Sequence, residues 1–185
     1  MNNHSIISNV LPFADDYLPA HLIARQAQIE KLRAALVPLT RKRPIKHLWI
    51  HGPPGTGKTR MALKLLGHKY ASLGVSRQFH PNTTYESFVG GLAPTATKEE
   101  LGFRFEPAKG ALMKAAAEAE KVKPQPYLFH IDEINRADLS KVLGEAIFLL
   151  EYSDEKPRAV TLPYDFGPPW QNRLVIPSNF TSLAR

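Results

Sequence analysis

The chain has 185 residues and no cysteine. That absence excludes a disulfide framework and thiolate metal sites, and it fits a reducing compartment. No apolar run approaches the roughly 20 residues that a membrane-crossing helix needs. The opening MNNHSIISNV lacks a basic start followed by an apolar stretch, so no secretory signal is expected and the expected location is the cytoplasm. The seven histidines show no ligand spacing, which argues against metal-hydrolase chemistry. Internal repeats and low-complexity segments are also missing. Acidic side chains are the minority, 17 against 24 Lys and Arg, giving a formal net charge of +7. A polyanionic partner such as DNA is therefore plausible on charge. The densest basic cluster, TRKRPIK (Thr40 to Lys46), reads either as a phosphate contact or as a solvated loop before a strand.

What is present is an ordinary globular composition, 43% hydrophobic and 22% charged. Strand and helix signals alternate, the pattern of an α/β domain. Leu22, Ile23, Ile29, Leu32, Leu36 and Val37 recur at helical spacing between Pro19 and Pro38. HLWIHG (His47 to Gly52) reads as a short buried strand running into glycine, with Trp49 in the core. A helix is expected from Lys58 to Leu66 or beyond, and VSRQFH (Val75 to His80) as a second strand. Pro81 to Pro107 reads as irregular. An alanine-rich helix follows despite Gly110, then the strand YLFHIDE. Leu139, Val142, Leu143, Ala146, Ile147 and Leu150 mark the core stripe of one further helix. The remainder reads as loop and short strands.

The strongest chemical signal is GPPGTGKT, Gly52 to Thr59. It fits G-x-x-x-x-G-K-[ST] between a strand and a helix, the context that this phosphate-binding loop requires. Glycines there allow turns that a side chain would block. Backbone N–H groups then line a concavity for phosphate oxygens, reinforced by the helix N-terminus. The candidate nucleotide-binding residues are Gly52, Pro53, Pro54, Gly55, Thr56, Gly57, Lys58, Thr59 and Arg60. Lys58 would reach the β- and γ-phosphates, and the Thr59 hydroxyl would bind Mg²⁺.

The second signal is YLFHIDEIN, Tyr127 to Asn135. Strand-forming residues deliver Asp132 and Glu133 to a strand end, where a protein with this loop needs a carboxylate for Mg²⁺. Asp132 takes the metal role; Glu133 takes that of the base acting on the attacking water. His130, inside the strand, is expected to face the core.

Together the loop and the DE pair resemble the AAA+ class of NTPases. Longer segments narrow the resemblance. QFHPNTTYESFVGGLAP (Gln78 to Pro94), IDEINRADLSKVLGEAIFLLE (Ile131 to Glu151) and IPSNF (Ile176 to Phe180) are similar to the motor subunit of methylcytosine-specific restriction systems, the restriction enzyme B family. The resemblance runs from about Trp49 to Phe180. It implies a P-loop parallel sheet flanked by helices, with residues 1–46 as a lead-in and helix and residues 47–185 as the core of one partial AAA+ domain. It also implies a ring-forming motor that hydrolyses ATP or GTP beside an endonuclease. The earlier stretch Asp15 to Leu39 is instead similar to the lead-in of archaeal replication initiators.

In the restriction-motor family the strand after IPSNF leads to a sensor Asn, a fifth strand and a helical lid. Here TSLAR follows, so the resemblance implies a domain without those parts and little or no turnover by the chain alone. Two other readings stay open: a replication-initiator-like ATP switch on DNA, and a non-catalytic remnant that modulates rings of complete homologues. Several residues carry paired readings. Asn135 and Arg136 fit a neighbouring subunit or the γ-phosphate side, Asn135 equally fits helix entry, and Asp138 fits a helix cap. Tyr85, Phe88, Gly90 and Gly91 fit either a projecting loop or a packed one. Trp170 is open between surface and interface.

Overall fold

In a computed structural model, the described residues are 47–50, 58–70, 73–96, 103–150 and 158–184, with the helical positions Ala27, Glu30, Lys31, Ala34 and Ala35. The chain divides into two compact units, Met1–Val37 and Pro38–Arg185. The five upstream positions all fall inside the helix expected between Pro19 and Pro38. The basic cluster Thr40 to Lys46 and most of the initiator-like lead-in lie outside the described residues.

The second unit is built on a parallel sheet. Strands β1 (Leu48–Trp49), β2 (Gly74–Gln78), β5 (Tyr127–Asp132) and β8 (Phe180–Ala184) lie in the order β1-β8-β5-β2. Leu48 sits opposite Leu183, Phe129 opposite Ser182, and Ser76 opposite His130. Among the described residues, the last strand in sequence is thus inserted beside the first. Strand β5 is buried through five consecutive residues, as expected of a parallel strand covered on both faces. Its period-2 alternation divides the core. Tyr127, Phe129 and Ile131 join the larger cluster, whereas Leu128 packs with Leu183, Ala62 and Tyr70 on the opposite face.

Helix α1 (Lys58–Lys69) follows the glycine-rich segment GPPGTG. Helix α2 (Tyr85–Phe88) begins at a reciprocal cap: the Ser87 N–H donates to Thr84 Oγ1, and the Thr84 N–H donates to Ser87 Oγ. An antiparallel ribbon follows, β3 (Gly90–Ala96) against β4 (Phe103–Lys109). Among its described residues, the stretch expected to be irregular therefore carries a short helix and the two strands of a ribbon. The sequence hides this because strand breakers lie inside both strands, Gly90, Gly91 and Pro94 in β3 and Pro107 in β4, and the alternation from Phe103 to Glu106 is short. Phe88, Val89, Gly90 and Gly91 are buried, which decides for packing over projection.

Helix α3 (Ala111–Lys121) starts at Gly110, which stands at the N-cap rather than inside the helix. The Gly110 N–H donates to the Val89 carbonyl at 2.9 Å. A Cβ there would lie 2.5 Å from the Phe88 carbonyl carbon and oxygen, which are backbone atoms that cannot swing aside. Gly110→Ala is expected to lower unfolding free energy by about 1–3 kcal/mol in urea titrations. An unchanged midpoint would contradict this packing.

The helix expected from Leu139 to Leu150 is two pieces. Helix α4 (Leu139–Leu143) gives way to a 3-10 segment, Gly144–Leu150. The cause is Gly144, at φ 48° and ψ −134°, outside helical space and open mainly to glycine. The break turns Ile147 out of the expected core stripe, and it is 52% exposed. Asp138 caps α4 as expected, accepting from the Lys141 N–H at 3.3 Å. The Ser140 hydroxyl, and then that N–H, hold its carboxyl below the ordinary value. The short strands β6 (Ala159–Thr161) and β7 (Arg173–Val175) form a second ribbon.

Trp49 departs from expectation in the other direction. Leu48 and Ile50 pack against the Ala62 and Leu183 cluster, so alternation sends Trp49 to the other face of an edge strand, where it is 66% exposed.

Polar side chains fasten the inserted strand at its entry and at its middle residue. Asn179 Nδ2 donates to the carbonyls of Ala119 and Gln125 at 2.8 and 2.6 Å, tying the entry of β8 to the end of α3. Beside β1, His47 Nδ1 accepts the Ser182 backbone N–H at 3.2 Å, with Ser182 Oγ 2.6 Å away. An N–H can only donate, so Nδ1 must be unprotonated there. Burial also lowers the His47 pKa from its ordinary 6.5. A depressed folded value means that this contribution to stability is complete above pH 6.5 and is lost as pH falls through the folded value. Urea midpoints should therefore drop between pH 7.5 and pH 5 more steeply for the unaltered chain than for His47→Gln. Parallel pH profiles would contradict this role.

Candidate nucleotide site

The site residues come from two elements that lie far apart in sequence. Lys58, Thr59 and Arg60 form the first turn of α1. Asp132 ends β5, and Glu133 follows it directly. The loop residues Gly52, Pro53, Pro54, Gly55, Thr56 and Gly57 lie outside the described residues.

The fold brings the first turn of α1 against the end of β5. Thr59 Oγ1 lies 3.5 Å from Asp132 Oδ2, the outer limit of a hydrogen bond. The other carboxylate oxygen, Asp132 Oδ1, accepts the Glu133 N–H at 3.0 Å, which fixes the plane of the group. A hydroxyl and a carboxylate side by side form a hard-oxygen pair. That suits Mg²⁺, which takes one or two protein oxygens and fills its other positions with water and phosphate. Among the described residues no group of three or more His, Asp or Glu is placed to hold a metal ion. Such a group is what a self-sufficient protein cage would need.

Glu133 stands in the left-handed region, at φ 53° and ψ 42°. A non-glycine residue pays a conformational cost there, and such residues cluster at functional sites. Its carboxylate is paired with Arg136 across one 3-10 turn, with Nε donating to Oε2 at 3.1 Å. Buried Ile134 anchors that turn to the core, and Asn135 and Arg136 face outward. His130, one of the buried residues of β5, shares a hydrogen bond with Ser76 Oγ at 2.9 Å and so belongs to the sheet.

A parallel sheet with a Lys-Thr helix start facing an acidic strand end is the setting in which comparison with known proteins becomes informative. Residues 47–162 match the model for the AAA domain (dynein-related subfamily). The chain belongs to this AAA family. The chain is also 35% identical over 138 residues to the type IV methyl-directed restriction enzyme EcoKMcrB subunit of Escherichia coli strain K12. That match takes in 72% of this chain and 28% of the relative, so the chain spans well under a third of the relative's length. The AAA match begins at His47, where the sheet begins. Among the described residues of the AAA domain, no helix is long and apolar enough to cross a membrane.

Several residues that shape the fold around the site are not marked as such by the sequence. The pairing of Arg136 with Glu133 had a visible signal in its i,i+3 spacing, but acid and base at that spacing are common on surfaces. His47 and Ser182 had none, because they meet only once β8 is inserted beside β1. Trp170 is partly buried against the main core.

Proposed function

We propose that this chain binds ATP or GTP with Mg²⁺ and hydrolyses it slowly by itself, as a motor module of a DNA restriction-type complex. The observation that carries the reading is the meeting of Thr59 and Asp132 at 3.5 Å, with Glu133 next in line. On this reading residues 47–185 are the nucleotide-binding core and residues 1–46 a lead-in. The loop from Gly52 to Gly57, with Arg60 just beyond, wraps the phosphates, and the Lys58 ammonium offsets their charge. Thr59 and Asp132 hold the Mg²⁺, which when bound draws charge from the phosphate oxygens. Glu133 accepts a proton from water as the water oxygen bonds to the γ-phosphorus. The bond from that phosphorus to the bridging oxygen breaks, leaving nucleoside diphosphate and phosphate.

Slow turnover is expected of a single chain because groups from a neighbour complete such sites. An arginine supplied in trans alone contributes about 10³–10⁵ in rate. The relative's description as a subunit of a restriction enzyme supports a multi-subunit assembly. On this reading the chain joins a ring of AAA+ subunits, homo- or hetero-oligomeric, that works with an endonuclease in the cytoplasm. The net charge of +7 supports DNA contact through basic residues. Phosphate release from ATP and GTP by the purified chain tests the reading. Slow release that stops on chelation of Mg²⁺ is the expected result. Rapid release by the unaltered chain would contradict slow turnover, release that survives Glu133→Gln would contradict the assigned base, and a complete lack of Mg²⁺-dependent release would contradict the reading as a whole.

A further inference from the structure

We infer that Arg136 is a positioning residue for Glu133, holding the carboxylate in its working orientation when nucleotide is bound. The inference rests on Glu133 being the base that acts on water.

The geometry around the pair carries it. A glutamate in the left-handed region has its backbone direction fixed, but its side chain keeps three rotatable bonds. Arg136 restrains both. Its N–H donates to the Glu133 carbonyl at 2.9 Å, and its Nε donates to Glu133 Oε2 at 3.1 Å. The two contacts close a ring through a single 3-10 turn, and buried Ile134 ties that turn to the core. Asp132 is fixed by the same backbone, because the Glu133 N–H donates to Asp132 Oδ1 at 3.0 Å. The metal-side carboxylate and the base are therefore set by consecutive hydrogen bonds, with Arg136 as the outermost member of the row.

An exposed i,i+3 ion pair contributes little to stability, about 0–1 kcal/mol, so stability gives a weak reason for this pairing. The Glu133 side chain is 24% exposed and that of Arg136 54%, so the pair lies at the rim of the site rather than in the core. Orientation is where such a contact has leverage, because a misplaced reacting group can lower a rate by about 10² without changing binding.

Single-turnover phosphate release, with the chain in excess over nucleotide, is measured beside equilibrium binding of a fluorescent nucleotide analogue. Arg136→Ala should lower the rate roughly tenfold and leave the binding constant unchanged. Arg136→Lys should recover most of the loss, since an ammonium can reach the same carboxylate oxygen. A second readout is the Arg136 Nε–H resonance in ¹⁵N spectra. It should persist when a non-hydrolysable ATP or GTP analogue and Mg²⁺ are added, and it should shift in Glu133→Gln. An unchanged rate in Arg136→Ala, or loss of the paired resonance on nucleotide binding, overturns the inference. A Glu133→Gln variant as fast as the unaltered chain instead overturns the assignment of the base, as does a silent unaltered chain. In the silent case the spectra alone decide the pairing.

Discussion

Glu133→Gln is expected to lower Mg²⁺-dependent phosphate release by about 10²–10⁴-fold, the usual worth of a positioned general base. Glutamine keeps the length of the side chain and an acceptor oxygen, so it can still receive the Arg136 Nε–H that now lies 3.1 Å from Oε2. It cannot take a proton from water. Thr59 and Asp132 are untouched by the change, and the Glu133 N–H to Asp132 Oδ1 bond comes from the backbone. Nucleotide binding should consequently stay within about threefold of the unaltered chain, a change of less than ~0.7 kcal/mol. Single-turnover release and equilibrium binding, measured on the same preparations, check both halves. Equal loss of binding and rate would mean that Glu133 supports the site's structure instead.

The largest expected effect on stability is at Phe129. Its side chain is fully buried at the centre of β5, with the Phe88 and Phe180 rings at 5.9 and 5.7 Å between centroids. Those neighbours come from α2 and β8, so Phe129 joins the central strand to the inserted strand and to the helix before the ribbon. Truncating a buried phenylalanine costs about 3–5 kcal/mol, through lost burial and the cavity left behind. Phe129→Ala should remove a large share of the stability that a domain of this size holds, typically about 5–15 kcal/mol. Urea unfolding followed by circular dichroism measures it. A loss below about 1 kcal/mol would mean that the three rings do not form the core described.

The parts of the fold legible in sequence were those written in local pattern. The strand Tyr127–Asp132 is a run of strand-forming residues, broken only by His130, that leads into Asp132 and Glu133, and α1 follows a glycine-rich segment. Both are specified by neighbouring residues, and so were Asp138 as a cap and the order of the motifs. What was not legible depends on long-range partners. Trp49 reads as core because it is large and lies in a strand, but its exposure depends on which face of an edge strand is covered. The ribbon β3–β4 was hidden by the glycines and prolines inside its strands. The break at Gly144 looks like a tolerated glycine in a helix until its φ of 48° is seen. At the site, residue types gave the candidates, while the pairing of Glu133 with Arg136 required the turn geometry.

The central claim is that Lys58, Thr59 and Asp132 belong to one nucleotide–Mg²⁺ site. Equilibrium binding of fluorescent ATP and GTP analogues, with and without Mg²⁺, tests it most directly when Lys58→Ala is measured beside the unaltered chain. The account predicts Mg²⁺-dependent binding that weakens by about 10- to 100-fold in the variant, the range for a lost hydrogen bond to a charged group. Binding of neither nucleotide by a folded chain, or equal binding by Lys58→Ala, would contradict it.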